Sequence, residues 1–497
     1  MRYLLGLDIG TSGTKTVLFD EHGNVMAEAT GTYPLSQPQN GWAEQDPADW
    51  WRAVCETVPA VMRKSGVDKN AVVGIGLSGQ MHGLIMLNSV GEVLRPAILW
   101  CDGRTAGQCR EMERILGRER LIAITGSAAM EGFTASKILW VRENEPDVFE
   151  KCKHILLPKD YVRYRLCGTF AIDMADASGT QLLDISRREW SREVCDALGV
   201  DMSLLPTAME SPEVSGYLRA DVADTLGLPA GIPVAAGGGD NACAALGSGV
   251  CREGKAFTTV GTSGVIVAHT GTVRIDADAR YHAFCAAVPG AWHMLGITQA
   301  AGGSLNWFRN QLAAEYSYKE LDALCAALPI GADNLLFLPF LMGERNPLLG
   351  IKARGVFFGL SAIHQKAHMA RAVMEGVSYS LYDLLEVFRS VGAPCDDMLL
   401  CGGGAKSPFW AQMFADVYGI PVKTGTSGES ACLGAAILGG CAAGVYASVE
   451  EGCAATVQMG KSYTVCGDDH DTYMHFYRIY RNLYPGLRAS FEALNRS

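Results

Sequence analysis

The sequence predicts a duplicated α/β protein: two units of mixed sheet and helix in one chain. The tetrapeptide Gly-Thr-Ser-Gly stands at 10–13 and again at 261–264, each time between two strand-like runs, LLGLDIGTSGTKTVLFD over 4–20 and AFTTVGTSGVIVAHT over 256–270. Strand-like and helix-like stretches alternate along the chain, the pattern of an α/β architecture. A chain of 497 residues also exceeds what one hydrophobic core organises. The boundary is expected between Leu246 and Glu253, where a small-residue helix gives way to GSGV, leaving units 1–247 and 248–497.

Each element has a local reason. The first hairpin continues into a polar strand near 23–35, and Asp46 with Pro47 makes an N-cap and N1 pair that opens a helix through Trp50, Trp51 and Val54. Val72–Leu77 is an apolar strand that runs into the loop SGQMHG (78–83); Leu84–Leu87, Pro96–Trp100 and 154–157 read as further strands. Helices are expected over 105–116, over 134–144 and through LPKDYVRYRL. Pro233–Ala236 delivers GGGDN at 237–241, followed by a helix over Ala242–Leu246. The second half repeats this grammar: its hairpin, a strand at 292–297, a helix from Gly303 to Leu312, and a strand over Leu335–Leu341 that leads into MGERNP (342–347). A long helix over Ala367–Val391, the strand Met398–Cys401 into GGGA (402–405) and the helix Phe409–Val417 follow. A third GTSG at 425–428 precedes a small-residue helical run, Glu429–Gly439, and reads as a helix start. The last fifty or so residues read as helical packing.

Composition is that of an ordinary globular protein, 48% hydrophobic and 19% charged. A net charge of −11 without any Lys/Arg run argues against nucleic-acid or anionic-membrane partners. Sixteen cysteines stand singly, without C-x-x-C pairs, so neither a zinc site nor a disulfide framework is indicated. Cys55, Cys243, Cys401 and Cys432 sit in apolar surroundings and are expected to be buried thiols. Asp8 interrupts any apolar leader, and the Gly-containing stretch Ala431–Val445 falls short of a membrane span, so a cytoplasmic location is expected.

Small residues at a hairpin tip let backbone N–H groups approach a bound anion, and hydroxyls add donors. Two such loops suggest a nucleotide clamped between the two copies. Phosphoryl transfer to an alcohol needs a phosphate cradle, a held Mg²⁺ ion, an oriented hydroxyl and a base. Thr11, Ser12 and Gly13 are candidates for the cradle; Lys15 is either a phosphate contact or a solvated strand lysine. Asp8, two residues before the loop, either faces a Mg²⁺ ion, through water, or caps its own turn. Asp240, after three glycines, is either a general base or the N-cap of the helix that follows. Gly402–Gly404 suit a nucleotide at a helix N-terminus or a plain tight turn. His82, assisted by Gln80, could bond sugar hydroxyls or only the local backbone; Trp42, Trp100 and Arg104 could line a sugar site or simply pack.

Together these segments resemble the FGGY family of carbohydrate kinases, which share the sugar-kinase and actin-like ATPase fold. The resemblance runs from Asp8 to about Gly440. It rests on DIGTSGTK (8–15), GWAEQDPADWW (41–51), GQMHG (79–83), ILWCDGRT (98–105), FTASKILW (133–140) and LLPKDYVRYRLCG (156–168). GGGDNA (237–242), VGTSG (260–264), GERNP (343–347), GVFFGLSAIHQKAHMARAVMEG (355–376) and CGGGAKSPFWAQMFAD (401–416) continue it. It implies two ribonuclease-H-like (actin/hexokinase-type) domains with a cleft between them, and ATP with Mg²⁺ as the phosphoryl donor. It further implies Asp240 as catalytic base and Asp8 near Mg²⁺ and ATP. Met81 and His82, with Gln80, Trp100, Arg104 and Asn241, are implied on the sugar. Gly261, Thr262, Gly403 and Gly404 are implied on ATP, with Gly302 and Asn306 as further candidates. QMHG together with GWAEQDP and GGGDNA is similar to the branch that acts on D-xylulose. Glycerol-phosphorylating members carry an Arg-Glu pair where Met81 and His82 stand. AAGGSLNW (300–307) has two glycines where related kinases vary. A family member acting on ribulose, an L-ketose or gluconate, and a nonenzymatic ATP-binding regulator, stay as alternatives; a homodimer is possible.

Overall fold

In the computed structural model, which describes residues 1–344, 352–425 and 428–494, each of the two predicted hairpins lies inside a seven-stranded sheet. The end of GERNP (345–347) and the middle of the third GTSG (426–427) lie outside the described residues.

The first sheet comprises β1 (Tyr3–Ile9), β2 (Gly13–Asp20), β3 (Val25–Thr32), β4 (Val72–Gly79), β5 (Val214–Tyr217), β6 (Pro233–Ala235) and the short β7 (Gly238–Gly239). Its order is β5-β6-β4-β1-β2-β3, with β7 also paired to β4. The second comprises β8 (Gly254–Val260), β9 (Gly264–Thr270), β10 (His282–Cys285), β11 (Trp292–Thr298), β12 (Cys395–Gly402), β13 (Val422–Gly425) and β14 (Met459–Tyr463). Its order is β10-β11-β9-β8-β12-β13-β14. In the first sheet β3, β2 and β1 are antiparallel neighbours, and β4 and β6 follow in parallel. In the second, β11, β9 and β8 are antiparallel, and β12 and β13 follow in parallel. The same five-strand order and direction in both sheets is the ribonuclease-H-like duplication the sequence predicts. In open sheets of this kind ligands lie outside the carboxyl ends of the strands, which here means Gly10, Gln80, Gly261 and Gly403.

The helices follow from local signals and covered faces. In α1 (Pro47–Ser65) the Asp46 carboxylate accepts from the Ala48 N–H at 2.9 Å, and the helix lies over β2 with Thr57 Oγ1 2.8 Å from Thr16 Oγ1. Then come α2 (Thr134–Asn144), α3 (Pro158–Cys167), α4 (Asp240–Gly247), α5 (Gly302–Leu312), α6 (Lys366–Ser390), α7 (Pro408–Tyr418), α8 (Ser430–Ala442) and α9 (Gly467–Leu494). The small-residue helix α8 belongs to the second half of the chain yet packs on the first sheet. A Cβ at Gly76 in β4 would fall 1.7 Å from the Ala435 carbonyl oxygen, and one at Gly6 in β1 would fall 2.0 Å from that of Cys432. Its other side meets α4, so Leu4, Val17 and Phe19 share one core with Cys243, Leu246, Ala435 and Ile437. With α1 and α8 on opposite faces, β1 reads as a near-continuous apolar run because it is buried on both sides.

Three expectations need correction. The tail is not all helix: β14 adds an antiparallel edge to β13 before α9 begins. Its sequence, MGKSY, is mostly exposed and carries no apolar alternation to announce a strand. The strand expected over Leu335–Leu341 is confined to Leu336–Leu338, paired with Val356–Phe358 outside both main sheets; Pro339, which lacks an N–H donor, follows it directly. Of the four cysteines expected to be buried, Cys243 and Cys432 are, whereas Cys55 and Cys401 are half-buried; all sixteen are free thiols.

Candidate active site

The first GTSG loop is rigidly braced. Gly10 N–H donates to the Gly13 carbonyl at 3.1 Å, and the Tyr33 hydroxyl donates to the Gly10 carbonyl at 2.6 Å. Gln45 Nε2 donates to the Thr11 carbonyl at 2.7 Å, and Trp100 Nε1 to Thr11 Oγ1 at 2.9 Å. Ser12 at the tip is exposed. Trp100, 41% exposed, stands beside the loop.

Asp240 arrives on the short strand β7, which pairs with Ser78 and Gly79 at the end of β4. Gly239 is the N-cap of α4, so Asp240 opens the first turn instead of capping it, and its Oδ1 accepts from the Asn241 N–H at 2.7 Å and Nδ2 at 3.0 Å. Burial, with the Asp8 carboxylate adding to it, pushes the Asp240 carboxyl up to about 7. Asp8 is the last residue but one of β1, and Ser78 Oγ donates to its Oδ1 at 2.8 Å. Burial raises the Asp8 carboxyl as well, opposed by the Ser78 hydrogen bond and reinforced by Glu429. Two carboxyls, one near the end of a strand and one opening a helix, are thus both raised by burial, and Asp8 adds to the rise at Asp240.

Beside Asp240, Met81 lies against Gly239, where a Cβ would meet Met81 Cγ at 2.7 Å, and Asn241 Nδ2 is 3.9 Å from Met81 Sδ. His82 has φ 67, and its Nδ1 lies 2.7 Å from the Gly179 carbonyl oxygen. A carbonyl only accepts, so Nδ1 carries the proton and Nε2 is the acceptor. Burial pushes His82 down to about 3, which keeps the ring neutral. The imidazole stacks on Phe133 at 4.1 Å. Phe284, on β10 of the second half, leans on it from the other chain segment, with ring centroids 6.1 Å apart. That strand is pinned to the first half by Ala283 N–H to the Gly126 carbonyl and Cys285 N–H to Ser178 Oγ, both at 3.1 Å.

In the second half of the chain, the second GTSG loop has Gly261 N–H on the Ser263 carbonyl at 3.0 Å. The Thr262 carbonyl accepts from Ala301 and Gly303 N–H at 2.9 and 3.0 Å, which fixes α5 under the loop. Only glycine fits at 302, because a Cβ there would come 2.5 Å from the Gly261 carbonyl oxygen. Asn306, one turn along α5, is exposed and accepts from the Tyr318 hydroxyl at 2.9 Å. Gly403 and Gly404 follow β12, which pairs with β8 as far as Val260 opposite Gly402. Gly261, Thr262, Gly302 and Gly403 therefore lie together at the carboxyl ends of two neighbouring strands, whereas Gly404 is buried against Val260.

The N-terminal domain of the FGGY family of carbohydrate kinases matches residues 3–247, and its C-terminal domain matches residues 256–443. The chain belongs to the FGGY family of carbohydrate kinases. The kinase is 38% identical to the xylulose kinase of Bacillus subtilis over 494 residues, which covers 99% of each chain. It superposes on the xyloylose kinase of Brucella ovis with a TM-score of 0.92 at 37% identity, over 98% of this chain and 100% of that one. It superposes as well, TM-score 0.93 at 29% identity over 99% and 100% of the two chains, on the gluconate kinase of Lactobacillus acidophilus.

Within this FGGY kinase four of the residues singled out from sequence are engaged by other protein groups. Gln80 is 1% exposed and its amide is committed to the loop: Nε2 donates to the Gly10 carbonyl at 3.3 Å and to Gln45 Oε1 at 3.1 Å, and Oε1 accepts from the Thr11 hydroxyl at 3.3 Å. It braces the first loop instead of reaching a sugar. Arg104 is sealed by Asp102 at 2.7 Å and Glu44 at 2.8 Å and lies flat on Trp42 at 3.7 Å, so both pack instead of lining a site. Lys15 is engaged by Glu28 at 3.0 Å and Glu429 at 2.5 Å, which leaves its charge balanced before any phosphate arrives. The kinase also has groups that sequence reading passed over. Phe133 and Lys137, both within FTASKILW, touch His82, as Phe284 does from the other half. Under the glycine loop, the buried Lys159 ammonium gathers Asp160, Asp173 and Asp176 at 2.5, 2.5 and 3.0 Å, and Arg163 Nη1 donates to the Ala236 carbonyl at 2.7 Å. No helix among the described residues is long and apolar enough to cross a membrane.

Proposed function

We propose that this kinase transfers the γ-phosphoryl group of ATP to the terminal hydroxyl of D-xylulose, giving ADP and D-xylulose 5-phosphate. Residues 1–247 hold most of the sugar and 248–497 most of the nucleotide. The observation that carries this reading is the Asp240 carboxyl: it sits beside Met81 and Asn241, within the field of Asp8, with its proton affinity raised to near neutrality. A base so tuned accepts a hydroxyl proton at physiological pH. His82 Nε2 accepts a second sugar hydroxyl, and the N–H groups of loops 10–13 and 261–264 offset charge on the phosphates. The unbalanced pair Asp8 and Asp240 fits a divalent cation, which Asp8 would hold; when bound, Mg²⁺ neutralises phosphate charge. The sixteen free thiols and the use of ATP support a cytoplasmic setting.

The acceptor rests on the QMHG loop and on relatives named as xylulose kinases. A sugar acid is the second reading, favoured by the backbone likeness to a gluconate kinase. Against it, the named groups on the sugar side, Met81, neutral His82 and Asn241, offer no positive charge to a carboxylate. ADP release with Mg-ATP is to be measured against D-xylulose, D-ribulose, L-ribulose, L-xylulose, glycerol and gluconate. D-Xylulose is expected to lead in kcat/KM by about tenfold or more, the scale on which a few pocket contacts discriminate. A lead by gluconate would move the assignment to the sugar acid. His82→Ala is expected to raise KM for the sugar about tenfold, the loss of one hydrogen bond to a buried acceptor, with KM for ATP little changed. Equal rises in both would remove His82 from the sugar site.

A further inference from the structure

His82 presents its imidazole from a left-handed backbone conformation, φ 67, that a β-carbon disfavours. Such a conformation persists only where the surroundings hold it. The ring is held by Gly179 and Phe133; the backbone is held by α2. Lys137 Nζ donates to the His82 carbonyl at 2.8 Å and to the Gly132 carbonyl at 2.7 Å, and Thr134 Oγ1 donates to the same His82 oxygen at 3.1 Å. Lys137 is fully buried, and among the described residues no ion pair balances it. An ammonium in such a place is costly. Burial accordingly pushes Lys137 down to about 7, with Asp102 acting in the opposite sense. A neutral amine still has N–H donors for both carbonyls, so the two hydrogen bonds survive in either protonation state.

We infer that Lys137 is a positioning residue of the sugar site: with Thr134 it clamps the His82 carbonyl and so aims Nε2 at the acceptor. This rests on the reading that His82 contacts the sugar.

The test is steady-state kinetics of the full-length protein, varying D-xylulose at saturating Mg-ATP and the reverse, for His82→Ala, Lys137→Met and Thr134→Val. Lys137→Met keeps the apolar stem and removes the donors. It is expected to raise KM for the sugar about tenfold, on the scale of a lost hydrogen bond from a buried amine, with KM for ATP within about twofold. Thr134→Val, close to isosteric, is expected to move KM for the sugar in the same direction by about threefold, as a neutral hydrogen bond would. A change confined to thermal stability, or equal rises in both KM values, overturns the inference. Should Lys137→Met not fold, Thr134→Val decides, and an unmoved sugar KM there overturns it. A sugar KM that responds to His82→Ala but to neither α2 variant overturns this inference alone; one that responds to none of the three overturns the reading of the sugar site.

Discussion

Asp240→Asn is expected to fold normally, to bind both substrates, and to lose roughly 10²–10⁴-fold in kcat, the usual contribution of a positioned acid or base. The amide keeps the shape that accepts from Asn241 but has no lone pair basic enough for a hydroxyl proton. Stability separates this loss from a damaged fold. The Asp240 carboxyl has its affinity for protons raised from an ordinary 3.8 to about 7. Between those values the native state holds a proton that the unfolded chain releases. The group therefore stabilises less and less as pH rises through that window, and its ionised form burdens the fold above 7. The Asn variant carries no such burden, so at pH 8 it is expected to melt no lower than the parent. The same carboxyl sets the pH profile: kcat/KM for the sugar rises with pH through about 7 and then levels. A variant within a few-fold of the parent in kcat would remove Asp240 as the base, and an unaltered pH limb in the variant would assign that limb to another group.

Gly76→Ala is expected to cost about 3 kcal/mol or more, the upper end of what overpacking a core does. The new methyl would lie 1.7 Å from the Ala435 carbonyl oxygen and 2.5 Å from its carbon. Both are backbone atoms of α8, which cannot swing aside as a long side chain can. Relief requires α8 to lift from β4, and β1 meets the same helix at Gly6. Because α8 joins the second half of the chain to the first sheet, the strain falls on the packing that sets the two sheets against each other. Gly107 is the control: a Cβ there meets nothing within 4 Å, and it lies inside the helix Ala106–Leu116. Gly107→Ala is expected to be neutral or to stabilise by about 0.5–1 kcal/mol through helix propensity. Denaturant unfolding of the two variants reads the contrast; equal midpoints would mean that α8 does not pack as described.

What could be read in the chain follows the range of the interactions involved. The GTSG hairpins, the Asp46–Pro47 helix start and the glycine loop that delivers Asp240 are specified by neighbours within a few residues, and the sequence already shows them. Gln80 and Arg104 illustrate the opposite case. Each is a polar residue in a loop near the site, yet Gln80 is engaged by Gln45 and Arg104 by Glu44, both contributed by another segment, in addition to Arg104's own neighbour Asp102. Whether a loop arginine meets a sugar or a buried carboxylate is decided by which segment folds against it. The strand at Met459–Tyr463 was hidden for a related reason: an exposed edge strand acquires its state from the neighbour it pairs with, not from its own periodicity.

The duplication, the order of the elements and the two acids beside the glycine-rich loops are legible in the chain alone, since backbone conformational preference and apolar periodicity act over single turns and strands. Long-range packing is what carries α8 across to the first sheet, brings Phe284 to His82 from the other half, and sets a buried lysine on the His82 backbone. Those outcomes depend on shape complementarity and desolvation between segments far apart in the chain. Neither acts until the segments are brought into contact.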